Sequence, residues 1–369
     1  MSTTLSSLES KLAAFDPGLP LDQASTIPSL WYTDPEVYEA ERRGVFSPSW
    51  VPVARADQLV EAGSFVTAEV GGEPLVVTRA KDGLLHAFSN VCRHKAAKVV
   101  LPESGKAPFF QCRYHGWVYD LCGDLKGTPE FQGVTGFERA SNCLPRWSVA
   151  GWGPLVFVNA SPSPAPLASL TDPFDAKLGG PTLGSVKFHA RQEYEIRCNW
   201  KIFIDNYLDG GYHVNTLHPA LAGVLDYSTY RTEIFDRCSV QYSAMQPGEN
   251  AAVASVRKGD FAYYWWFYPN LMVNVYDGIV DTNVVYPLGP DRCRVLFDFY
   301  FADSIDEEFR RRSMAVAHQV QLEDVEICED VQKGFNSRTY RTGRFSVQRE
   351  AGEYHFHRLL AAGLKTAHH

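Results

Sequence analysis

A chain of 369 residues with 45% hydrophobic and 21% charged side chains can bury a large core in two domains and is neither disordered nor fibrous. Its formal net charge of −8 argues against a nucleic-acid binder, and its apolar runs are strand-length, so no membrane span is expected. The opening "MSTTLSSLESKLAAF" has no basic segment followed by an apolar one, so it is not read as a secretory signal. A cytoplasmic protein with reduced cysteines is the expectation.

Residues 1–45 read as helical, beginning with a short amphipathic helix through Leu5, Leu8, Leu12 and Phe15 and ending in "DPEVYEAERRGVF". Residues 46–165 read as strands: "SFVTAEV", "PLVVTRA", "LHAFSNV", "FFQCRYHGWVYD" and "GPLVFVNA" are β-branched and aromatic runs set off by turn residues. The proline-rich "SPSPAPLASLTDP" (161–173) reads as a linker. Residues 166–369 mix types. "NWKIFIDNYLDGGYHVNTLHPAL" is a helical pattern interrupted by paired glycines, and "FAYYWWFYPNLMVNVYD", "IVDTNVVYPL" and "RVLFDFYFA" are strands. "SIDEEFRRRSMAVAHQVQLEDVEICEDVQKGF" is a long helix with Ser304 as expected N-cap and Glu307 as its capping-box partner. The sum is an α+β chain in which a small all-β domain precedes a larger α+β domain.

Two short segments carry metal chemistry. "NVCRHKAA" offers Cys92 and His94, and "CRYHGWVYD" offers Cys112 and His115, so the pattern is C-x-H, seventeen residues, C-x-x-H. Any such set suits zinc. Here, however, each loop supplies one thiolate and one imidazole and is flanked by strands. That division suits a two-iron, two-sulfide cluster of Rieske type, with both cysteines on one iron and both histidines on the other. Replacing two thiolates by neutral imidazoles raises the cluster's potential, making it a ready electron acceptor.

An electron carrier would need only the first third of the chain. Farther on, "DNYLDGGYHVNTLHP" places His213 and His218 five apart. Five residues of regular helix rotate about 500°, which would separate the rings by about 140°. The two can converge only if the helix ends or widens between them, an irregularity that Pro219 and the Gly210–Gly211 pair favour. Two imidazoles and a carboxylate make the facial triad of non-haem Fe(II), which leaves positions open for oxygen. "QLEDVEICEDVQKGF" offers Glu323, Asp324, Glu326, Glu329 and Asp330 as the carboxylate, and Asp324 shares a helix face with Cys328 and Val331.

Over nearly its whole length the chain resembles the large (alpha) subunit of Rieske-type non-haem iron oxygenases, on "LWYTDPEVYEAERRGVF", "NVCRHKAA…CRYHGWVYD", "NWKIFIDNYLDGGYHVNTLHP" and "EDVEICEDVQKGF". The resemblance implies a Rieske domain over 46–165 and a catalytic domain over 166–369 with an antiparallel sheet covered by helices, onto which residues 1–45 pack. It implies that Cys92, His94, Cys112 and His115 hold one 2Fe–2S cluster and that His213, His218 and Asp324 hold one mononuclear Fe(II) per subunit. A homotrimer is implied too, in which an acid bridges a cluster histidine of one subunit and an iron histidine of the next. The family commonly places that acid three residues before the first iron histidine. Gly210 stands there, so Asp209 is the expected bridge, with Asp205 the alternative and Asn206 close to the iron. "CRHKAA" also departs from the common C-x-H-R-G, and the ammonium of Lys95 cannot reproduce a guanidinium fork.

Electrons would come from NAD(P)H through a separate flavin and iron–sulfur reductase, since no nucleotide-binding G-x-G-x-x-G opens a helix in this chain. "DNYLDGGYHV", "EDVEICEDVQKG" and "GRFSV…EYHFHRLL" look most like the branch that includes choline monooxygenase and the demethylases of glycine betaine and stachydrine. A quaternary ammonium substrate calls for an aromatic cage, and "FAYYWWFYPN" can supply Tyr264, Trp266 and Tyr268 from one strand face. An aromatic-ring hydroxylase is the alternative enzyme, and an electron-transfer protein without catalytic iron the non-enzyme alternative. His355 and His357 are expected to alternate as on a strand.

Overall fold

The computed structural model describes residues 7–179, 181–218, 226–245 and 257–366. It divides the chain into two units, one of Phe46–Ser169 and one that joins Met1–Val45 to Leu170–His369.

The Phe46–Ser169 unit is built from short antiparallel strands. Seven of them, β1 (Val51–Arg55), β2 (Ser64–Val70), β3 (Glu73–Arg79), β4 (Leu85–Ser89), β5 (Ser104–Lys106), β9 (Arg146–Trp152) and β10 (Leu155–Asn159), form a sheet in the order β1-β10-β9-β4-β3-β2-β5. The others, β6 (Phe110–Gln111), β7 (Val118–Tyr119) and β8 (Leu125–Gly127), make a separate three-stranded sheet. Consecutive burial of Leu75, Val76, Val77 and Thr78 shows that β3 is covered on both faces. Phe65, Phe88, Phe110, Trp117 and Tyr119 pack into one core that also takes in Cys92 and Cys112. The two cysteines are therefore anchored in apolar packing, not on a mobile loop.

The second unit is a seven-stranded antiparallel sheet carrying helices. Its strands are β11 (Lys187–Ile196), β12 (Arg231–Ile234), β13 (Cys238–Ala244), β14 (Phe261–Phe267), β15 (Leu271–Tyr276), β16 (Ile279–Gly289) and β17 (Arg292–Phe301), in the order β11-β17-β16-β15-β14-β13-β12. The helices are α1 (Ser7–Leu12), α2 (Leu30–Thr33), α3 (Pro35–Glu41), α4 (Ala168–Leu178), α5 (Trp200–Leu208), α6 (Val214–Leu217), α7 (Glu307–Phe335) and α8 (Ala351–Thr366). No helix among the described residues is long and apolar enough to cross a membrane.

Three local expectations are corrected. Helix α4 begins inside the expected linker, at Ala168, and holds Pro173 within it. The N-cap of α7 is Asp306, whose carboxylate accepts from Phe309 N at 2.8 Å, so Ser304 lies outside the helix and Glu307 is its first residue. His355 and His357 lie on α8, where two residues turn about 200°, so the rings point to different sides.

Helix α5 is capped by Asn199, which accepts from Lys201 N. It is fastened to α3 by a dry ion pair: Lys201 Nζ lies 2.6 Å from Glu41 Oε1, with both side chains fully buried, and Trp200 Nε1 donates to Glu41 Oε2 at 2.8 Å. Truncating one partner strands a buried charge, which typically costs about 3–5 kcal/mol. Glu41→Ala is accordingly expected to lower the thermal midpoint of this unit well below that of the wild type, as followed by circular dichroism.

Candidate metal centres and substrate cavity

The two loops of the β-rich unit share one construction. After Cys92 the chain turns back so that Ala96 N donates to Cys92 O at 3.0 Å and Cys92 N to Ala97 O at 2.9 Å. After Cys112, Gly116 N donates to Cys112 O at 2.9 Å and Cys112 N to Trp117 O at 2.8 Å. The residue closing each turn is left-handed, Ala96 at φ 57° and Gly116 at φ 70°. Each turn brings the histidine round to the side of its cysteine. Cys92 and Cys112 are buried, His94 is half-buried and His115 exposed, while the two imidazole rings meet edge-on with centroids 4.5 Å apart. Trp117 stacks on His94 at 4.9 Å and 6°.

The donor set fits a binuclear cluster better than one ion. A tetrahedral zinc holds its ligand atoms about 3.3–3.8 Å apart. Among the described residues, three groups bring three possible ligand atoms within 4.8 Å of one another, and these four residues form none of them. His94 Nδ1 is buried without a hydrogen-bond partner, as a ligating nitrogen should be before its metal is counted. Burial and the charges of His115 and Lys95 hold the His94 imidazole below its ordinary pKa, in its neutral, ligating form. Burial and the neighbouring Cys92 sulfur push the Cys112 thiol up, and two sulfurs sharing a dry site call for a cationic centre between them. Tyr119 OH sits 3.4 Å from Cys92 Sγ. A hydrogen bond to a ligating sulfur stabilises the reduced, more negative cluster. At about 1–2 kcal/mol for such a bond, Tyr119→Phe is expected to lower the midpoint potential by roughly 40–90 mV, measured by redox titration of the visible spectrum.

In the other unit, α5 ends at Leu208, and Gly210 (φ 72°) and Gly211 (φ 70°) reverse the chain. A Cβ on Gly210 would fall 2.1 Å from Arg349 O, and one on Gly211 2.9 Å from the Tyr230 ring, so only glycine fits both turns. His213 is the N-cap of the single-turn α6 and His218 its C-cap. The single turn between them is unbroken and helical geometry ends at His218 (φ −115°, ψ 76°), where the ring centroids stand 5.0 Å apart; Pro219 lies outside the described residues. Asp324 arrives from α7, with Oδ1 3.1 Å from His218 Nε2. Ligand atoms of His213, His218 and Asp324 all lie within 4.8 Å of one another, a spacing that one ion can span.

Each ring is oriented from behind. Asp209 Oδ2 is 2.5 Å from His213 Nδ1, and Glu323 Oε2 is 2.6 Å from His218 Nδ1, so both Nε2 atoms are left for the metal. Burial works to lower the His218 pKa, but the Asp324 and Glu323 carboxylates hold it above the ordinary value. Asn206 Nδ2 donates to Asp324 Oδ1 at 2.9 Å. Asp205, one turn before Asp209, does not join this group: it accepts from Tyr32 OH at 2.5 Å and bonds His357 Nε2 at 3.0 Å. Glu323 was one of five acids on a single stretch of sequence, and nothing in that stretch marked its contact with His218.

A cavity of about 130 Å³ opens against the triad. Its aromatic walls are Phe203, Tyr207, Tyr230, Tyr264, Tyr276 and Phe297. The expected trio is corrected: of Tyr264, Trp266 and Tyr268, only Tyr264 reaches the cavity. Trp266 packs on Phe356 and His355 of α8, and the Tyr268 ring carries the Arg237 guanidinium 4.5 Å from its centroid. Tyr264 and Trp266 alternate onto one face of β14, yet the first lines the cavity and the second meets α8, so a common face does not mean a common pocket. Polar groups complete the wall. Tyr207 OH donates to Asn274 Oδ1 at 2.7 Å, and Asn274 Nδ2 to Asp281 Oδ1 at 2.6 Å. Burial pushes the Asp281 carboxyl up to about 6 against the opposing pull of Arg257 and Asn274.

Comparison with known proteins agrees with this architecture. Residues 49–138 match the Rieske [2Fe-2S] domain and residues 183–366 the ring hydroxylating alpha subunit (catalytic domain). The chain belongs to the Rieske-type non-haem iron oxygenases, whose matched domains imply one 2Fe–2S cluster and one mononuclear iron. Within that family it is 39% identical to the chloroplastic choline monooxygenase of Arabidopsis thaliana, over 98% of this chain and 88% of that one. The carnitine monooxygenase oxygenase subunit of Escherichia coli K12 is 29% identical over 93% of this chain and 95% of that one. A quaternary ammonium Rieske monooxygenase solved with L-carnitine superimposes with a TM-score of 0.80 at 27% identity, covering 94% of this chain and 99% of the other.

Proposed function

We propose that this chain is the oxygenase component of a multicomponent system that hydroxylates a C–H bond of a quaternary ammonium compound, choline being the first candidate. One observation carries the reading: the cavity that opens on His213, His218 and Asp324 is walled by six aromatic rings and holds the buried carboxyl of Asp281. A quaternary ammonium has no N–H to donate and is held by aromatic faces and a nearby negative charge.

The residues divide the work. Cys92, Cys112, His94 and His115 hold the cluster, with the exposed His115 as the side where electrons leave. His213, His218 and Asp324 hold ferrous iron on one face, which when bound supplies oxygen activation at its open positions. Asp209 and Glu323 fix the two histidine rings, and Asn206 steadies Asp324. Tyr207, Tyr230, Tyr264 and Tyr276 keep the ammonium and its target carbon in a water-poor space. Asp209 is the candidate bridge to a cluster histidine of a neighbouring subunit in a homotrimer, since it already grips His213 and Asp205 is engaged by Tyr32 and His357. NAD(P)H reduces the system through a separate flavin and iron–sulfur reductase. Eight free cysteines suit a reducing compartment such as the cytoplasm.

Arg257, also in the cavity wall, favours a second reading, in which the substrate is a betaine whose carboxylate meets the guanidinium. Hydroxylation of choline at its alcohol carbon gives an aldehyde hydrate, whereas hydroxylation of a betaine N-methyl releases formaldehyde. NADH-dependent oxygen uptake with a generic reductase, screened over choline, glycine betaine, carnitine, stachydrine and simple arenes, separates these. Uptake with choline and no formaldehyde is expected; uptake with formaldehyde from a betaine selects the second reading, and uptake with arenes alone sinks both.

A further inference from the structure

Away from both iron sites, the β-rich unit brings Asp82, His86 and Cys122 together, with one ligand atom from each within 4.8 Å of the others. His86 Nε2 is the hub, 3.0 Å from Asp82 Oδ2 and 3.7 Å from Cys122 Sγ. A tetrahedral zinc bonded to sulfur at 2.3 Å and to nitrogen and oxygen at 2.0–2.2 Å would place the N–S pair about 3.6 Å apart and the N–O pair about 3.4 Å apart. These two pairs thus need shifts of only a few tenths of an ångström, and the Asp82–Cys122 pair, within 4.8 Å, would close to about 3.6 Å.

The three side chains sit on a rigid frame. Asp82 belongs to the tight turn between β3 and β4, where Leu84 N donates to Oδ1 at 2.9 Å and Oδ2, the oxygen that meets His86, is the one turned toward the site. Cys122 belongs to the turn between β7 and β8, where Asp120 Oδ1 accepts from Cys122 N at 2.9 Å and Asp124 N at 3.0 Å. The turns are tied together by Thr78, the cross-strand partner of His86, whose buried hydroxyl donates to Leu121 O at 2.7 Å. Burial and the carboxylates of Asp120, Asp82 and Asp124 push the Cys122 thiol up, so the local potential favours a cation. Lys126 and Arg146 offset part of it, at 2.9 Å from Asp120 and 2.8 Å from Asp124.

We propose that Asp82, His86 and Cys122 form a zinc site separate from both iron centres, a thiolate–imidazole–carboxylate set with water as fourth ligand. Zinc is the ion that this borderline-soft trio selects among divalent metals of tetrahedral habit. On binding, the Cys122 thiol proton leaves to solvent, and the His86 proton moves to Nδ1 so that Nε2 can ligate. The ion clasps two turns of the unit that carries the cluster and asks nothing of the oxygenase reaction.

The test uses the enzyme with cluster and iron loaded, titrated with zinc sulfate. Calorimetry and metal analysis are expected to find one zinc bound per chain with iron content unchanged. Peptide mapping after iodoacetamide treatment should show Cys122 alkylated at least about tenfold more slowly with zinc present. Cys143, half-buried with its Sγ donating to Arg139 O, is the internal control and should react at an unchanged rate. His86→Ala and Asp82→Asn should each remove the protection while the cluster's visible spectrum, reporting a folded unit, persists. Alkylation of Cys122 that is indifferent to zinc, protection that survives His86→Ala, or zinc bound only as iron is lost would each overturn the proposal.

Discussion

Replacing Asp324 by alanine is expected to leave a red-brown protein that no longer consumes oxygen. The carboxylate is the only anionic member of the group formed with His213 and His218, and two neutral imidazoles alone grip ferrous iron poorly. The proposed cluster ligands, Cys92, His94, Cys112 and His115, belong to the other unit of the chain, so the cluster's spectrum should persist. Metal analysis should fall from about three iron atoms per chain to about two, the sum expected from a two-iron cluster with and without a single ferrous ion. Substrate-dependent uptake should drop by about 1,000-fold or more, because oxygen binding needs the metal itself. A variant that kept its third iron and its activity would remove Asp324 from the site.

The second large effect is expected at Asp209. Its carboxylate accepts from His213 N at 3.0 Å and contacts Nδ1 of the same ring at 2.5 Å, so it sets both the ring's tautomer and its orientation. Asp209→Asn keeps the size and removes the charge. Losses from such changes behind a metal ligand run about 10- to 100-fold in activity or affinity, and a role as bridge between subunits would add to them. The informative comparison separates the two contributions. Chemical reduction of the cluster followed by oxygen exposure should show slowed cluster reoxidation if the acid carries the electron path. A variant with normal reoxidation and weakened iron affinity would confine Asp209 to orienting His213. Asp205→Asn, by contrast, should disturb the contacts among Tyr32, His357 and α5 and read out as stability, with iron content unchanged.

The candidate sites were named from residue types and short spacings. A metal site on a tight turn needs its donors within a few residues, so Cys92 with His94, Cys112 with His115, and His213 with His218 could be picked out along the chain. Strands such as "SFVTAEV" were equally plain, since their alternation is local. The N-cap of α7 was misread because Ser304 and Asp306 are both capping types, and only the approach of Phe309 N separates them. The reading of His355 and His357 as a strand failed because the short "EYHFH" alternates in type while the surrounding sixteen residues form a helix.

The sequence by itself determined which atoms can bind metal, because donor chemistry belongs to the side chain and the turns that present it close over four or five residues. Tertiary structure alone decided that Glu323, beside the Asp324 already favoured by its helix face, supports His218 from behind, and that Tyr264 reaches the cavity while Trp266 and Tyr268 pack under α8. Those choices depend on where α7 and α8 cross a twisted sheet. That crossing is fixed by packing between segments more than a hundred residues apart, for which no local pattern in the chain carries a signal.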